Sequence, residues 1–173
     1  MEKYQINSPI RQLVFLAQIG HENGGLYYTE EIASGVAYEG RRDLGNTQSG
    51  DGKKFKGRGL IQITGRYNYT KLSEAFGVDL IANPKLLGGL NVKKCTEEQL
   101  KYAALSAGWF WNREKLNDIA DLIDINKRLS AGSSNRNNFI KITRKINGGE
   151  NGLQDRLSRY VKGRPYFTNT IFK

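Results

Sequence analysis

Three glutamates near the N-terminus are the residues of this chain best suited to acid–base chemistry. Glu22 closes an apolar run that begins at Pro9, and Glu30 and Glu31 follow after a glycine break. The negative end of a helix and apolar neighbours both disfavour a charged carboxylate, so Glu22 is suited to hold a proton near neutral pH and donate it. Glu30 and Glu31 have polar neighbours and should stay ionised. Two carboxylates in opposite environments are typical of glycoside hydrolysis, although a helix-end glutamate beside two solvated charges is the alternative interpretation.

A helix predicted over residues 9–23 must position Glu22. Ser8 is a favourable N-cap, and Pro9 suits the first helical position. Gly24-Gly25 is a stop signal. The run is apolar on most of its circumference, which indicates a buried helix rather than a surface one.

A second polar segment follows Gly57 in the sequence GRGLIQITGRYNY. In it, Gln62 and Thr64 alternate with Ile61 and Ile63. In an extended chain this alternation places the amide and the hydroxyl on one face, where they can hold a sugar or a water. An edge strand with a polar outer face is the alternative.

Four blocks of sequence, in order, resemble glycoside hydrolase family 19, which includes chitinases and phage endolysins. The blocks are AQIGHENGG, a glutamate nine residues after the first, LGNTQSGDGKKFKGRGLIQITGRYNY and ITRKINGGENGLQDRLSRY. Together they span roughly residues 6–165. The short linking loops and the YEGRRDLGNTQSGDG block are most similar to the phage and prophage endolysin branch.

The resemblance implies roles for individual residues. Glu22 corresponds to the general acid and Glu31 to the general base, with Glu30 as competitor, because the family's shorter bacterial members use the nine-residue spacing. Thr64 falls where the family holds the attacking water with a Ser or Thr hydroxyl. The substrate-binding positions implied in the same way are Gln62, Tyr67, Asn68, Asn147 and Arg156.

Two of these positions carry an open question. Tyr67 is interpreted as a wall of the cleft, but a tyrosine here could equally belong to the core. Many chitinases have a glutamate two residues after the INGG glycines, where this chain has Asn151, and Glu150 stands one place early. Any acidic network around Arg156 is therefore in doubt.

Capping and stop signals predict further helices along the chain. They cover residues 67–76, a short helix that follows a turn at Asn83-Pro84 and ends at Gly88-Gly89, 97–112, 118–123 capped by Asn117, 138–146 and 153–162, with a polar loop over 130–137. The clearest start is Thr96-Glu97-Glu98-Gln99, a capping box. We expect a mainly α, lysozyme-like helical domain of two lobes around a central cleft, with at most a small β element. One catalytic domain should span residues 1–173.

Residues 32–58 contain the most basic part of the chain and read as an irregular loop with room for one short hairpin. Their cations are Arg41, Arg42, Lys53, Lys54, Lys56 and Arg58. A long irregular stretch in a compact domain is usually functional, so we expect substrate contact. A solvated loop is the alternative.

The net charge of the chain narrows the classes of binding partner. The 173 residues include 27 basic and 17 acidic side chains, a net charge of +10, which favours polyanionic partners such as nucleic acid, lipid headgroups or an acidic cell wall. With only His21 and Cys95 available, we expect no zinc site, no cofactor and no internal disulfide. The start MEKYQINSP has no long apolar run, so we expect no signal peptide and no membrane span. Synthesis in the bacterial cytoplasm and action on the wall after release or export would follow.

Together with the charge, the resemblance predicts an endolysin-type hydrolase that cleaves β-1,4 bonds of peptidoglycan and causes lysis, and it implies an inverting mechanism. We expect a monomer that binds peptidoglycan or another N-acetylated amino-sugar polymer, with no nucleic acid and no stable membrane insertion. A chitinase is the alternative. A non-catalytic glycan binder is disfavoured because Glu22, Glu31 and Thr64 are all present, and a nucleic-acid binder because no module of stacking aromatics accompanies the charge.

Overall fold

The computed structural model describes residues 1–168, and helices joined by turns make up this part of the chain. The α-helices are α1 Pro9–Glu22, α2 Asp51–Lys54, α3 Arg66–Phe76, α4 Glu97–Arg113, α5 Leu116–Ala120, α6 Ser134–Asn147 and α7 Leu153–Thr168. Short 3-10 helices cover Glu2–Tyr4, Val36–Tyr38, Arg42–Leu44, Pro84–Leu87 and Val92–Lys94. Within residues 1–168, β structure is limited to isolated bridges. The mainly α prediction is confirmed.

The chain forms two compact units. One comprises residues 1–21 together with the chain from Phe110 onward, and the other comprises residues 22–109. None of the helices in the described part of the chain has both the length and the apolar character needed to cross a membrane.

Aromatic contacts organise the core of the unit that contains most of α1. The rings of Phe15 and Trp111 meet edge to face at 5.2 Å, and those of Phe139 and Tyr160 at 5.5 Å. All four residues are buried. Edge-to-face geometry is a favourable arrangement for aromatic pairs, so these contacts hold α1 against the end of α4 and α6 against α7.

The unit of residues 22–109 has a separate core around Phe55 and Tyr69, whose rings lie 5.1 Å apart. Both residues are fully buried, as are Leu72, Leu80 and Leu87. This core holds α3 against the irregular segment that precedes it, and the polar residues discussed below project from that segment.

Local capping signals are confirmed at several helix ends. Ser8 lies at the start of α1, where its hydroxyl accepts a long 3.4 Å hydrogen bond from the Arg11 N–H. Thr96 and Gln99 exchange reciprocal hydrogen bonds of 2.9 and 3.2 Å at the start of α4. Gly77 ends α3 in the left-handed conformation, as predicted.

Other local predictions are wrong for tertiary reasons. Asn117 does not cap a helix: it lies inside α5, where its amide accepts from Trp111 Nε1 at 2.8 Å and donates to the Tyr4 carbonyl at 3.0 Å. The polar loop over residues 130–137 ends early, because Ser133 caps α6 by accepting from the Arg136 N–H. On α4, an apolar stripe of Leu100, Ala103, Ala104, Ala107 and Trp111 would be expected to face the core, but Leu100 and Ala104 are exposed.

Candidate active site

Glu22 is the last residue of α1, and the residue after it ties this helix end down. Asn23 is 1% exposed. Its side-chain amide donates to the Leu60 carbonyl at 3.0 Å and accepts from the Leu26 N–H at 2.5 Å. A buried amide satisfied on both sides is costly to move, so Asn23 anchors the backbone beside Glu22 to the turn that contains Leu60. Asn23 was not among the site residues predicted from the sequence.

Glu30 is neutralised by two cations. Its carboxylate lies 2.8 Å from Lys56 Nζ and 2.8 Å from Arg58 Nε, and its side chain is 16% exposed. Burial opposes its charge, but the hydrogen bonds and charges of Lys56 and Arg58 outweigh burial and hold the pKa of Glu30 below its ordinary value. Arg58 is further fixed by the Lys54 carbonyl and the Tyr69 hydroxyl. Glu30 therefore works as the centre of a structural ion cluster.

Glu31 has a different environment from its neighbour. Its two carboxylate oxygens accept from the Tyr38 hydroxyl at 3.0 Å and from the Gly57 N–H at 3.1 Å. The Glu31 N–H in turn donates to the Gly57 carbonyl at 2.9 Å. Burial and the nearby Glu31 charge raise the pKa of Tyr38, so this phenol stays a neutral donor. A carboxylate has about four lone-pair positions, so two donors leave Glu31 able to accept from a water.

Gly57 brings Glu31 and Gln62 together. A Cβ added at Gly57 would lie 2.8 Å from Gln62 Oε1 and 3.2 Å from Glu31 Oε2. Only a residue without a side chain leaves these two groups where they are. Neither Gly57 nor Tyr38 was singled out from the sequence, because a glycine and a tyrosine in an irregular loop give no local signal of what they will contact.

The segment from Gly59 to Gln62 forms a tight turn and not the extended strand predicted from its alternation. Arg58 and Ile63 exchange backbone hydrogen bonds of 3.0 and 2.7 Å across it, and the Gln62 N–H donates to the Gly59 carbonyl. Gln62 has a φ of 55°, in the left-handed region that non-glycine residues seldom adopt. Such strain is found where surrounding structure over-determines a functional position.

Three predicted site residues lie in one hydrogen-bonded series after this turn. The Thr64 hydroxyl donates to the Gln62 carbonyl at 2.9 Å, and the Asn68 amide donates to the Thr64 carbonyl at 2.8 Å. Gln62 Nε2 donates to the Gly59 carbonyl at 3.1 Å. The structure thus brings Glu31, Gln62, Thr64 and Asn68 into one region of the same unit.

Tyr67 is an exposed residue, 56% accessible, so the core alternative for it is wrong. Its backbone passes close to Gly45, where an added Cβ would lie 2.9 Å from Tyr67 N. The adjacent Asn46 is fully buried and joins two parts of this unit, because its amide donates to the Tyr38 carbonyl and accepts from the Arg66 N–H. Asn46 therefore supports both the Glu31 partner and the start of α3.

The basic segment separates into structural and exposed cations. Lys56 and Arg58 are used by Glu30, and Lys56 Nζ also donates to the Glu31 carbonyl at 2.8 Å. Arg41 pairs with Asp43 at the surface. The exposed residues Arg42, Lys53 and Lys54 remain for contact with an anionic partner. Lys56 and Arg58 therefore have partners inside the protein, and substrate contact by this segment stays a prediction.

Two predicted substrate-binding residues, Asn147 and Arg156, belong to the other unit. Arg156 is 1% exposed, and its guanidinium donates to Gln18 Oε1 at 2.7 Å. The Gln18 amide continues to the Thr143 hydroxyl at 3.0 Å. Asn147 folds its own loop by donating to the Asn151 carbonyl and accepting from the Gly149 N–H. Their roles toward substrate remain predictions.

A histidine–aspartate pair in that same unit had no sequence prediction. His21 Nδ1 lies 2.8 Å from Asp155, which also accepts from Arg159 at 2.7 Å. The hydrogen bond from Arg159, and then that from His21, lowers the pKa of Asp155. Glu150 pairs with Arg144, so the displaced acid of the INGG loop has an ionic partner of its own. Among residues 1–168, no three His, Cys, Asp or Glu side chains gather as a metal-ligand set.

Comparisons with known proteins point to one family. Residues 12–155 match the model of glycoside hydrolase family 19, described as chitinase class I. The chain is 29% identical over 191 aligned residues to a glycosyl hydrolase family 19 domain-containing protein of Haemophilus influenzae, covering 92% of this chain and 82% of that protein. It is 34% identical over 152 aligned residues to an endochitinase of Arabidopsis thaliana, covering 84% of this chain but 44% of the plant protein.

The fold has solved counterparts. A class IV family 19 chitinase from Zea mays superposes with a TM-score of 0.66 at 21% identity, covering 92% of this chain and 69% of the maize chain. At that identity the likeness establishes the fold alone, and it confirms the predicted lysozyme-like helical class.

Proposed function

The chain belongs to glycoside hydrolase family 19, and from this premise we propose that it is an endolysin-type hydrolase of peptidoglycan glycan strands. Its reaction is hydrolysis of β-1,4 bonds between N-acetylated amino sugars, and the consequence is bacterial lysis. The observation that carries the proposal is the contrast between two adjacent carboxylates. Glu30 is paired with two cations, whereas Glu31 accepts from a neutral hydroxyl and a backbone N–H.

In the proposed mechanism, Glu22 protonates the leaving oxygen and Glu31 removes a proton from the attacking water. Thr64 orients that water. Because the Thr64 hydroxyl already donates its proton to the Gln62 carbonyl, its remaining capacity is to accept, which suits one hydrogen of the water. The other hydrogen of the water then points to Glu31.

Inversion at the anomeric carbon is the expected outcome. Inverting enzymes separate their two carboxyl groups by about 6.5–9.5 Å, which leaves room for one water. The glycine break between Glu22 and Glu31 is compatible with such a gap. An NMR spectrum of the first product formed distinguishes the α from the β anomer, and a retained configuration would contradict the mechanism.

The choice of peptidoglycan rests on charge. Chitin is a neutral polymer, from which a protein of net charge +10 gains no electrostatic attraction. Peptidoglycan carries peptide carboxylates, and exposed cations at Arg42, Lys53 and Lys54 would raise its encounter rate. This gain should fade as salt shortens the Debye length below about 10 Å.

A chitinase is the second candidate, because the plant relatives and the maize structure are chitinases by name. Purified peptidoglycan and colloidal chitin should be digested side by side at low and high salt, with release of reducing ends as the measurement. We expect faster wall cleavage that slows with salt. Faster chitin cleavage with no salt effect on the wall would support the chitinase instead.

Paired charge variants sharpen this test. Arg42→Gln with Lys53→Gln should lower the low-salt rate on the wall about threefold and leave the rate on chito-oligosaccharides unchanged. Lys93→Gln with Lys94→Gln, which removes the same charge from exposed positions of the same unit, is the matched control. Equal effects of both pairs would show that only total charge matters.

The catalytic roles are tested by three amide variants. Glu22→Gln and Glu31→Gln should each lose more than about 10²-fold in rate, because an amide cannot transfer the proton. Glu30→Gln should affect rate mildly at temperatures where the variant remains folded. If Glu30→Gln proved more damaging than Glu31→Gln under these conditions, the base would be Glu30. Synthesis in the cytoplasm followed by release is a further proposal, which fractionation of producing cells tests.

A further inference from the structure

A basic groove lies in the unit that contains α6 and α7, in which neither of the proposed catalytic glutamates is found. It encloses about 880 Å³, within the size range of small-ligand sites. Among residues 1–168, four cations line it: Arg128, Arg136, Lys162 and Arg164. None of the described residues that line it is acidic. We refer to these four cations and the space between them as the α7 groove.

Unlike several other cations of this unit, the four groove cations are not paired with a described carboxylate. Arg11, Arg144 and Arg159 are each paired with a carboxylate. Within residues 1–168, no carboxylate lies within ion-pair distance of any of the four groove cations. Asp124 acts electrostatically on Tyr160, but its carboxylate is paired with Lys127 Nζ at 3.5 Å.

Two of the four cations are fixed by backbone carbonyls. Arg164 donates to the carbonyls of Ile125 and Asn126 at 2.6 and 2.7 Å, and Arg136 reaches the Leu129 carbonyl at 3.5 Å. These contacts position the guanidinium groups without neutralising them. A preorganised guanidinium recognises a carboxylate with little loss of side-chain entropy.

The wall between the cations is apolar with one unsatisfied polar group. Leu157 and Val161 of α7 line it, together with Tyr160. Tyr160 is 1% exposed, and its hydroxyl has no hydrogen-bond partner among the residues described. Burial raises the pKa of Tyr160 to about 12, so the hydroxyl remains protonated and able to donate. A buried hydroxyl without a partner in the free protein points to a partner supplied from outside.

We propose that the α7 groove binds an acidic peptide with small apolar side chains, of the kind that crosslinks peptidoglycan strands. This deepens the proposed function and rests on it, since it assigns recognition of the wall peptide to a site separate from the residues that act on the sugar. Carboxylates would meet the four cations, methyl groups would meet Leu157 and Val161, and a peptide carbonyl would accept from Tyr160.

A recessed groove with fixed arginines suits a peptide better than a flat lipid surface or a nucleic acid. A lipid surface is contacted by projecting side chains, whereas Tyr160 and Leu157 are buried. A single-stranded nucleic acid would stack its bases on exposed aromatic rings. Among the lining residues that the structure describes, the one aromatic residue is the buried Tyr160.

The test measures binding of the free wall peptide alanyl-glutamyl-diaminopimelyl-alanine to the full chain by titration calorimetry or NMR. Arg128→Gln with Lys162→Gln removes two exposed groove cations and should weaken the peptide Kd about fivefold. Lys115→Gln with Lys141→Gln removes the same charge from exposed positions outside the groove and should change the Kd less than twofold. Tyr160→Phe should weaken binding about threefold while keeping the ring contact with Phe139.

Several outcomes would overturn the proposal. No peptide binding by the wild-type chain, or equal loss in the groove and control pairs, would refute it. Binding of anionic phosphatidylglycerol vesicles that depends on Arg128 and Lys162, without peptide binding, would assign the groove to a membrane.

This test and that of the proposed function fail independently. Peptide binding is measured without turnover, and both double variants should hydrolyse peptide-free chito-oligosaccharides at the wild-type rate. A protein that binds the peptide but hydrolyses no glycan would refute the proposed hydrolase. A protein that hydrolyses wall glycan but binds no peptide would refute the groove assignment alone.

Discussion

Replacing Gly57 with alanine should impair catalysis while the protein remains folded. The added Cβ would lie 2.8 Å from Gln62 Oε1 and 3.2 Å from Glu31 Oε2, where ordinary contacts begin at 3.4 Å. The amide oxygen must therefore retreat by about 0.6 Å and the carboxylate oxygen by about 0.2 Å. Both displaced atoms are the ends of flexible side chains, so the cost to stability should be near the lower limit for overpacking, about 1 kcal/mol.

The kinetic effect should be larger because the displaced groups are the proposed base and its neighbour. A misplacement of about 1 Å in a catalytic constellation can cost roughly 10²-fold in rate. Half that displacement predicts a loss of about tenfold, which corresponds to about 1.4 kcal/mol of transition-state stabilisation. The melting temperature should fall by only about 2–4 °C.

The assay is initial reducing-end release from purified peptidoglycan, together with thermal unfolding of the same samples. Gly89→Ala is the matched control in the same unit, because its Cβ would meet only ordinary contacts, the nearest being Cys95 Sγ at 3.6 Å. Gly57→Ala with more than half the wild-type rate would refute the reasoning. A rate loss that disappears on cooling well below the melting temperature would refute it too, since unfolding would then be its cause.

Three further predictions follow from single contacts. Tyr38→Phe removes the hydroxyl that donates to Glu31 at 3.0 Å, and steady-state kinetics should show a loss of about three- to thirtyfold in rate with unchanged melting; an unchanged rate would separate this contact from catalysis. Glu30→Gln should lower the free energy of unfolding by about 2–4 kcal/mol at pH 7, because Lys56 and Arg58 lose their partner. The pKa of Glu30 in the folded protein lies below its ordinary value of 4.5, so the unfolded chain takes up the proton first as pH falls. The difference in free energy of unfolding between wild type and variant, measured with urea, should therefore be full above about pH 4.5 and shrink as pH falls further. A difference independent of pH would contradict the ion cluster. Tyr160→Phe should leave the free protein equally stable or up to about 1 kcal/mol more stable, because the hydroxyl it removes is buried without a partner; a clear loss of stability in calorimetry would show that the hydroxyl has one.

Helix boundaries were predictable from sequence wherever the signal was local. The stop of α1 depends on Gly24 and Gly25, both of which adopt positive φ. The start of α4 depends on two side chains three residues apart, Thr96 and Gln99. Such signals act within one helical turn, so the sequence contains all the atoms that decide them.

Predictions failed where one pattern fits two backbone paths. Alternation from Leu60 to Thr64 suits a strand, but a turn at Gly59 and Gln62 presents the same residues with a different geometry. Asn117 resembles a helix cap by type, yet its amide is used by Trp111 and Tyr4. Tyr4 is distant in sequence, so no window around Asn117 contains the partner that decides its role.

The sequence by itself determined that an acid ends a buried helix and that two more carboxylates follow a glycine break. It could not distinguish Glu30 from Glu31, because adjacent residues of one type have the same local chemistry. Tertiary structure made the difference: Glu30 meets Lys56 and Arg58, while Glu31 meets Tyr38 and Gly57. The environment of a carboxylate is set by charges and donors within a few ångströms, and only folding brings Lys56, Gly57 and Arg58, which are more than twenty positions away in the chain, to that distance.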